Sequence, residues 1–212
     1  MAKIVNKPTS SPRRASSVSS PNDMFAEQTD IFETGISVGY DEWRSKAGHI
    51  IEHHIEDSGW RSFMAEIKEA SCQLFDKVLA EEGLSQMTLS ICWTNDAHMA
   101  TLNDTFRGKN NPTNVLAFPV KVHNDHKGEA NALGDIVVAR ETVFREAQES
   151  NTEMSHHIIH LLTHGMLHLL GYDHINDEDA AEMETFETRL LATIGIANPY
   201  EKPHYGKQQE LT

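Results

Sequence analysis

Apolar and polar residues change rhythm several times along this chain, and each change marks an element. In IIEHHIEDSGW, Ile51, His53 and Ile55 alternate with Glu52, His54 and Glu56, the period of a half-exposed strand, and Asp57, Ser58 and Gly59 supply a turn. Residues 61–82 place Phe63, Ile67, Leu74, Val78 and Leu79 at helical spacing, with Gly83 just beyond as a stop. MTLSICW, residues 87–93, alternates into a second strand, and Asn95 or Asp96 is positioned to cap a helix through Met99 and Leu102 to about Phe106. RGKNNPT reads as a loop, and VLAFPV, residues 115–120, as a short strand whose Pro119 requires an edge or terminal position. The polar loop KVHNDHKGEAN leads to LGDIVVAR, residues 133–140, the strongest strand pattern of the chain, which ETVFREAQE continues as a helix. A helix from about Glu153 to Leu170, a turn at Gly171 and a helix from about Asp177 to Ile194 complete the pass. The expected class is α+β: a small mixed sheet of about four strands with helices packed beside it and no internal repeat.

Composition divides the chain further. Residues 1–30 are rich in Ser and Pro, with almost no apolar periodicity, and cannot bury enough surface to offset the entropy of ordering, so a disordered tail is expected there. Residues 31–48 form an extension of uncertain structure, 49–198 a single folded domain, and 199–212 a second unstructured tail. No apolar run approaches the roughly 20 residues of a membrane span, and the N-terminus lacks the apolar stretch of a secretory signal. A cytoplasmic address follows as the expectation. Cys72 and Cys92 have no metal-type spacing, and Cys92, between Ile91 and Trp93, suits a reduced core thiol.

The formal net charge of −14 argues against a surface that grips polyanions everywhere, so no DNA partner is expected, although a local basic groove stays open. Much of the late acid, Asp177, Glu178, Asp179, Glu182, Glu184 and Glu187, reads as a solvated helix face with charges favouring the N-terminal end.

The candidate chemistry lies in HGMLHLLGYDH, residues 164–174. Each helical residue advances about 100°, so His164 and His168 differ by roughly 40° and project from one face a turn apart. Gly171 lets the chain leave the helix and fold His174 back toward the pair. Three neutral imidazoles make a zinc site with a fourth position for water. Leu161, Leu162, Leu167, Leu169 and Leu170 are available to bury the surrounding helix. His160 extends the stripe and either supports a ligand from behind or packs, packing being favoured because three ligands are already in place, while His156 and His157 are read as exposed first-turn residues. The spacing His-x3-His-x2-Gly-x2-His is shared with metzincin peptidases, which need a glutamate directly after the first histidine. Here Gly165 stands in that place, and losing a general base typically costs roughly a hundredfold to ten-thousandfold in rate.

HGMLHLLGYDH, with NDTFRGKNNPTNVLAFP and LGDIVV upstream, resembles the bacterial YbeY family of rRNA-maturation endoribonucleases over about residues 49–195. The resemblance implies a zincin-like α+β fold and one zinc ion held by His164, His168 and His174, with His164 in the catalytic centre. It also implies substrate contact by Arg107, the arginine of LNDTFR, with Lys109 counted beside it. The implied partners are ribosomal RNA, as a 16S precursor, and the small ribosomal subunit with its proteins. Where the family commonly carries Asp, this chain has Asn110 and Asn114, which removes carboxylate charge there. A zinc ion and a guanidinium together meet the charge that develops on a phosphodiester in its transition state. Tyr172 is a candidate phosphate donor, and Asp173 and Asp135 are candidate supports for the imidazoles. Two alternatives stay open: a metal-dependent hydrolase of another bond, and a ribosome-assembly factor whose zinc is mainly structural.

Overall fold

The computed structural model describes residues 3–4, 39–120 and 131–201. The polar loop at 121–130 and nearly all of the expected tails at 1–30 and 199–212 lie outside the described residues. The strands are β1 (Lys3–Ile4), β2 (Gly39–Arg44), β3 (Ile50–Ile55), β4 (Met87–Thr94), β5 (Val115–Pro119) and β6 (Asn131–Ala139). The helices are α1 (Arg61–Glu81), α2 (Asp96–Arg107), α3 (Arg140–Glu149), α4 (Met154–Leu169) and α5 (Asp177–Ala192). None of these helices is long and apolar enough to cross a membrane.

The strands form one sheet in the order β1-β5-β6-β4-β3-β2. β3, β4 and β6 run parallel, β5 is antiparallel to β6, and β2 is antiparallel to β3. The expected count of about four strands is therefore too low. β2 escapes the periodicity because only Trp43 of GYDEWR is buried; pairing with β3, from Gly39 opposite Ile55 to Arg44 opposite Ile50, holds the strand instead. Lys3 and Ile4, within the tail expected to be disordered, pair in parallel with Leu116 and Ala117, and β2 lies within the extension of uncertain structure, ten residues ahead of the expected boundary at 49.

Alternation along the central strands divides the core in two. Leu89, Ile91, Trp93, Ile136 and Val138 turn to one face, where Ile67, Leu74, Phe75 and Val78 of α1 meet Ile158, Leu161 and Leu162 of α4. Cys92, Val137, Ala139, Leu116 and Phe118 turn to the other face, under Met99 and Leu102 of α2. Both cysteines are free and buried, which for Cys92 is the expected position. At the end of β4, Trp60 is fully buried and its Nε1 donates to Thr94 O at 2.9 Å, fixing the turn into α1. Asn95 caps α2, its side chain accepting from His98 N at 3.0 Å.

Candidate metal centre

Helix α4 carries the first two histidines and is held by burial more than by its ends. Its N-cap residue, Glu153, makes no capping side-chain bond, but every residue from Ile158 to Leu169 except His160 is buried. Full burial of one large apolar side chain is worth about 1.5–3 kcal/mol, so several of them outweigh a missing cap at about 1 kcal/mol. Gly165 allows α4 to sit close on the sheet: a Cβ there would lie 3.0 Å from Ile136 Cδ1. Position 165 therefore faces β6 and not the histidine cluster, and a glutamate at this place would enter the core.

The helix ends where the histidine geometry requires it to. Leu170 N donates to Met166 O at 3.1 Å and Tyr172 N to Leu167 O at 3.0 Å, while Gly171 takes φ +98, a left-handed conformation that costs a glycine little. The chain reverses, and His174 comes back over the helix. Ring centroids are 4.7 Å apart for His164 and His168, 5.0 Å for His168 and His174, and 5.7 Å for His164 and His174. One nitrogen from each of the three lies within 4.8 Å of the others.

The outward nitrogens of the first two rings are fixed by acceptors. His168 Nδ1 lies 2.9 Å from Tyr172 O, and a carbonyl only accepts, so Nδ1 carries the proton and Nε2 keeps its lone pair. His164 Nδ1 lies 3.1 Å from Glu187 Oε2, with the same result. Burial, helped by the neighbouring His164, holds the His168 pKa down to about 4, so this ring is neutral at pH 7. His164 Nε2 is buried with no hydrogen-bond partner among the described residues. An orphaned lone pair that faces two more imidazoles fits a cation of the zinc type.

Glu187 is the residue that the sequence reading missed. It was grouped with a solvated acidic face, yet it is fully buried. The signal was available: Glu187 falls on the stripe of Met183, Phe186, Leu190 and Leu191, the buried side of α5. Burial by itself raises its pKa, but His160 and His164 reverse that and hold it to about 2, so the group is a carboxylate. His160 Nε2 lies 3.2 Å from its Oε1, and Tyr200 OH donates to its Oε2. His160, for which packing was favoured over a supporting role, takes the supporting place in this network, and His160, His164 and Glu187 form a second grouping with metal-type spacing.

The structure gathers the other candidates only in part. Asp173 accepts from His174 N at 2.8 Å and so shapes the turn that brings the third ring in. Tyr172 OH donates to Glu82 at 2.9 Å, at the end of α1; this residue serves the cluster through its carbonyl, and its hydroxyl is engaged elsewhere. Asp135 pairs with Ser90 and Phe118 and shares the face of Val137 and Ala139, so strand alternation turns it away from α4, on the other side of the sheet. It does not support the imidazoles. Arg107 is half-buried at the end of α2 and Lys109 is exposed in the loop beyond; α2 packs on that same opposite face.

Next to the cluster opens a cavity of about 690 Å³, lined by His160, His164, His174 and Tyr200 and reaching Asn114 and Glu146. Among the described residues no lysine or arginine lines it, so neither Arg107 nor Lys109 is brought into it. At its far end Asn114 Nδ2 donates to Glu146 Oε2 at 2.9 Å, and His157 Nε2 lies 3.1 Å from the same oxygen. His157 is therefore paired and partly buried, contrary to the exposed position expected for it. The amide at 114 supplies a donor that an aspartate would lack.

The sequence profile described as Endoribonuclease YbeY matches residues 53–195. A Rhizobium etli protein with that name is 50% identical over 113 residues, 53% of this chain and 66% of its own length, just under two thirds. An Alteromonas mediterranea protein of the same name is 46% identical over 124 residues, 58% of this chain and 77% of its own. A third, from Azorhizobium caulinodans, is 42% identical over 154 residues, covering 72% of this chain and 96% of that protein.

Proposed function

The chain belongs to the YbeY endoribonuclease family, and from that premise we propose that it is a zinc-dependent, single-strand-specific endoribonuclease acting in rRNA processing, at the 3′ end of a 16S precursor. The observation that carries the metal part of this reading is the convergence of His164, His168 and His174 around His164 Nε2, which has no hydrogen-bond partner among the described residues. When bound there, zinc supplies positive charge against a phosphodiester transition state and lowers the pKa of water toward about 7.

The remaining roles belong to groups of the chain itself. Tyr172 O and Glu187 hold the first two rings with their Nε2 atoms turned inward, and Asp173 holds the backbone of the third. Arg107, outside the cavity on the α2 side of the sheet, offers a planar guanidinium to a phosphate of the RNA away from the metal, in two parallel hydrogen bonds, and Lys109 adds charge beside it. The zincin-like character of the centre lies in this helix, glycine turn and third histidine. A peptidase mechanism is disfavoured because position 165 faces Ile136, leaving no room for the glutamate such an enzyme uses.

The test is cleavage of a 16S precursor by purified protein, before and after chelation, with metal content measured in parallel. The expected result is one zinc per chain, cleavage lost on chelation and restored by zinc, and none by His164→Ala. Full cleavage by His164→Ala overturns the proposal. A metal-free wild type that still cuts overturns its zinc component.

A further inference from the structure

Glu187 has no exposed surface, so no substrate atom reaches it and it cannot pass a proton to RNA. Its surroundings nevertheless are too specific for a filler of the α4–α5 contact. One oxygen meets both His164 Nδ1, at 3.1 Å, and the hydroxyl of Tyr200, while the other faces His160 Nε2 at 3.2 Å. Tyr200 stands beyond the end of α5, in a segment whose Asn198 side chain accepts from Tyr200 N at 2.9 Å and from Thr188 Oγ1 at 3.1 Å. The carboxylate thus ties three parts of the chain together: the ligand on α4, the helix α5, and the segment that closes one side of the cavity.

From this geometry we infer that Glu187 is a positioning residue of the metal centre, which fixes the tautomer and ring orientation of His164 and is itself held by Tyr200. An imidazole free to rotate or to exchange tautomers presents its lone pair only part of the time; an anionic acceptor on Nδ1 ends that freedom and makes Nε2 a better donor to a cation. Tyr200 restrains the carboxylate in the same way one step further out. His160, on the other carboxylate oxygen and 19% exposed in its side chain, is the cavity-side neighbour and not a ligand. The inference rests on the reading of His164, His168 and His174 as the ligand set, and the experiment separates the two.

Zinc affinity is measured by competition with a chromophoric chelator for the wild type, Glu187→Gln, Glu187→Ala, Tyr200→Phe, His160→Ala and His174→Ala. Circular dichroism and thermal midpoints establish that each is folded, and cobalt absorption bands of the loaded protein report ligand geometry. Loss of such an outer partner typically weakens metal binding by about 10–100-fold. Glu187→Gln, which keeps the shape but presents a neutral amide, is expected near the low end, Glu187→Ala near the high end, and Tyr200→Phe below tenfold. Each shifts the cobalt bands, which a role confined to helix packing would not do. His160→Ala keeps one zinc per chain and His174→Ala loses it. Folded Glu187→Gln with affinity within twofold of wild type and unchanged cobalt bands overturns the inference. Loss of zinc by His160→Ala with retention by His174→Ala overturns the ligand set beneath it, by showing that the ion sits between His160, His164 and Glu187. A wild type that takes up no zinc overturns both.

Discussion

Replacing Gly134 by alanine is the sharpest test of how the sheet seats the metal-binding helix. Gly134 stands in β6 between Leu89 of β4 and Pro119 of β5, beside the irregularity at Thr88 and Leu89. Its φ is +142, and an added Cβ would lie 2.4 Å from Phe118 O, 2.9 Å from Leu169 Cδ2 and 3.1 Å from Pro119 Cα. Two of these atoms are backbone of a paired strand and cannot swing aside. The third belongs to the residue that follows His168. Holding a non-glycine residue in so sparsely populated a backbone region costs about 1–3 kcal/mol, and overpacking adds about 1–3 kcal/mol. A loss of about 2–6 kcal/mol is expected, a large share of the 5–15 kcal/mol typical of a domain. The same substitution at Gly165 provides the comparison. There the nearest atom is the flexible end of Ile136, at 3.0 Å, the backbone is already helical, and alanine gains about 1 kcal/mol in helix propensity. Its cost should stay below about 1.5 kcal/mol, as for a modest overpacking. Urea denaturation of the two variants and the wild type, compared at equal slope, measures both. If Gly134→Ala lies within 1 kcal/mol of wild type, or is the milder of the two, the close approach of Leu169 to β5 and β6 has been misjudged.

His53 predicts an acid-sensitive component of stability. Its ring is buried between Trp43 and Trp93, accepting from Trp93 Nε1 at 2.9 Å, and burial holds its pKa down to about 4. Unfolding returns it to near 6.5, so between these values the unfolded chain binds a proton that the folded chain refuses; this contribution is complete above about pH 6.5 and falls by up to about 3 kcal/mol toward pH 4. His53→Gln, which keeps an acceptor for Trp93, should show a smaller stability difference between pH 7 and pH 4.5 in denaturant titrations, and an unchanged difference would count against the assignment. Arg107→Ala should leave zinc content intact while weakening RNA binding and lowering the salt slope by about one phosphate contact; equal slopes for variant and wild type would remove Arg107 from the substrate path. Tyr172→Phe removes only the bond to Glu82, so RNA cleavage should stay within twofold of wild type. A drop of tenfold would return the hydroxyl to the reaction.

The sequence carried helix α4 and its turn plainly because local chemistry writes them: leucines at helical period, histidines four apart, and a glycine where the backbone must take a positive φ. Strands β3 and β4 were legible from their alternation, and β5 and β6 from short apolar runs bounded by proline, glycine or polar loop residues. β2 was not, since a strand with one buried side chain exists through its partner's hydrogen bonds and not through its own pattern. Asp135 was set behind the imidazoles because an acid inside a strand is costly unless paired; that cost does not say which face of β6 the acid takes, and alternation puts it with Val137 and Ala139. Tyr172 was assigned by its hydroxyl when its carbonyl does the positioning, and backbone atoms leave no mark in a sequence. Glu187 lay in plain view on an apolar stripe, hidden by five neighbouring acids that are exposed or only half-buried.

The strand order also dictates when the enzyme can come into being as the chain is made. β6 lies between β5 and β4, and β4 pairs in parallel with β3 across the whole of α1, so the centre of the sheet closes only through contacts distant in sequence. Every ring of the metal cluster comes later still, from residue 164 onward, and the carboxylate behind the first ring follows at 187. A nascent chain that has emerged only as far as the end of α4 therefore holds every described strand of the sheet but neither His174 nor Glu187.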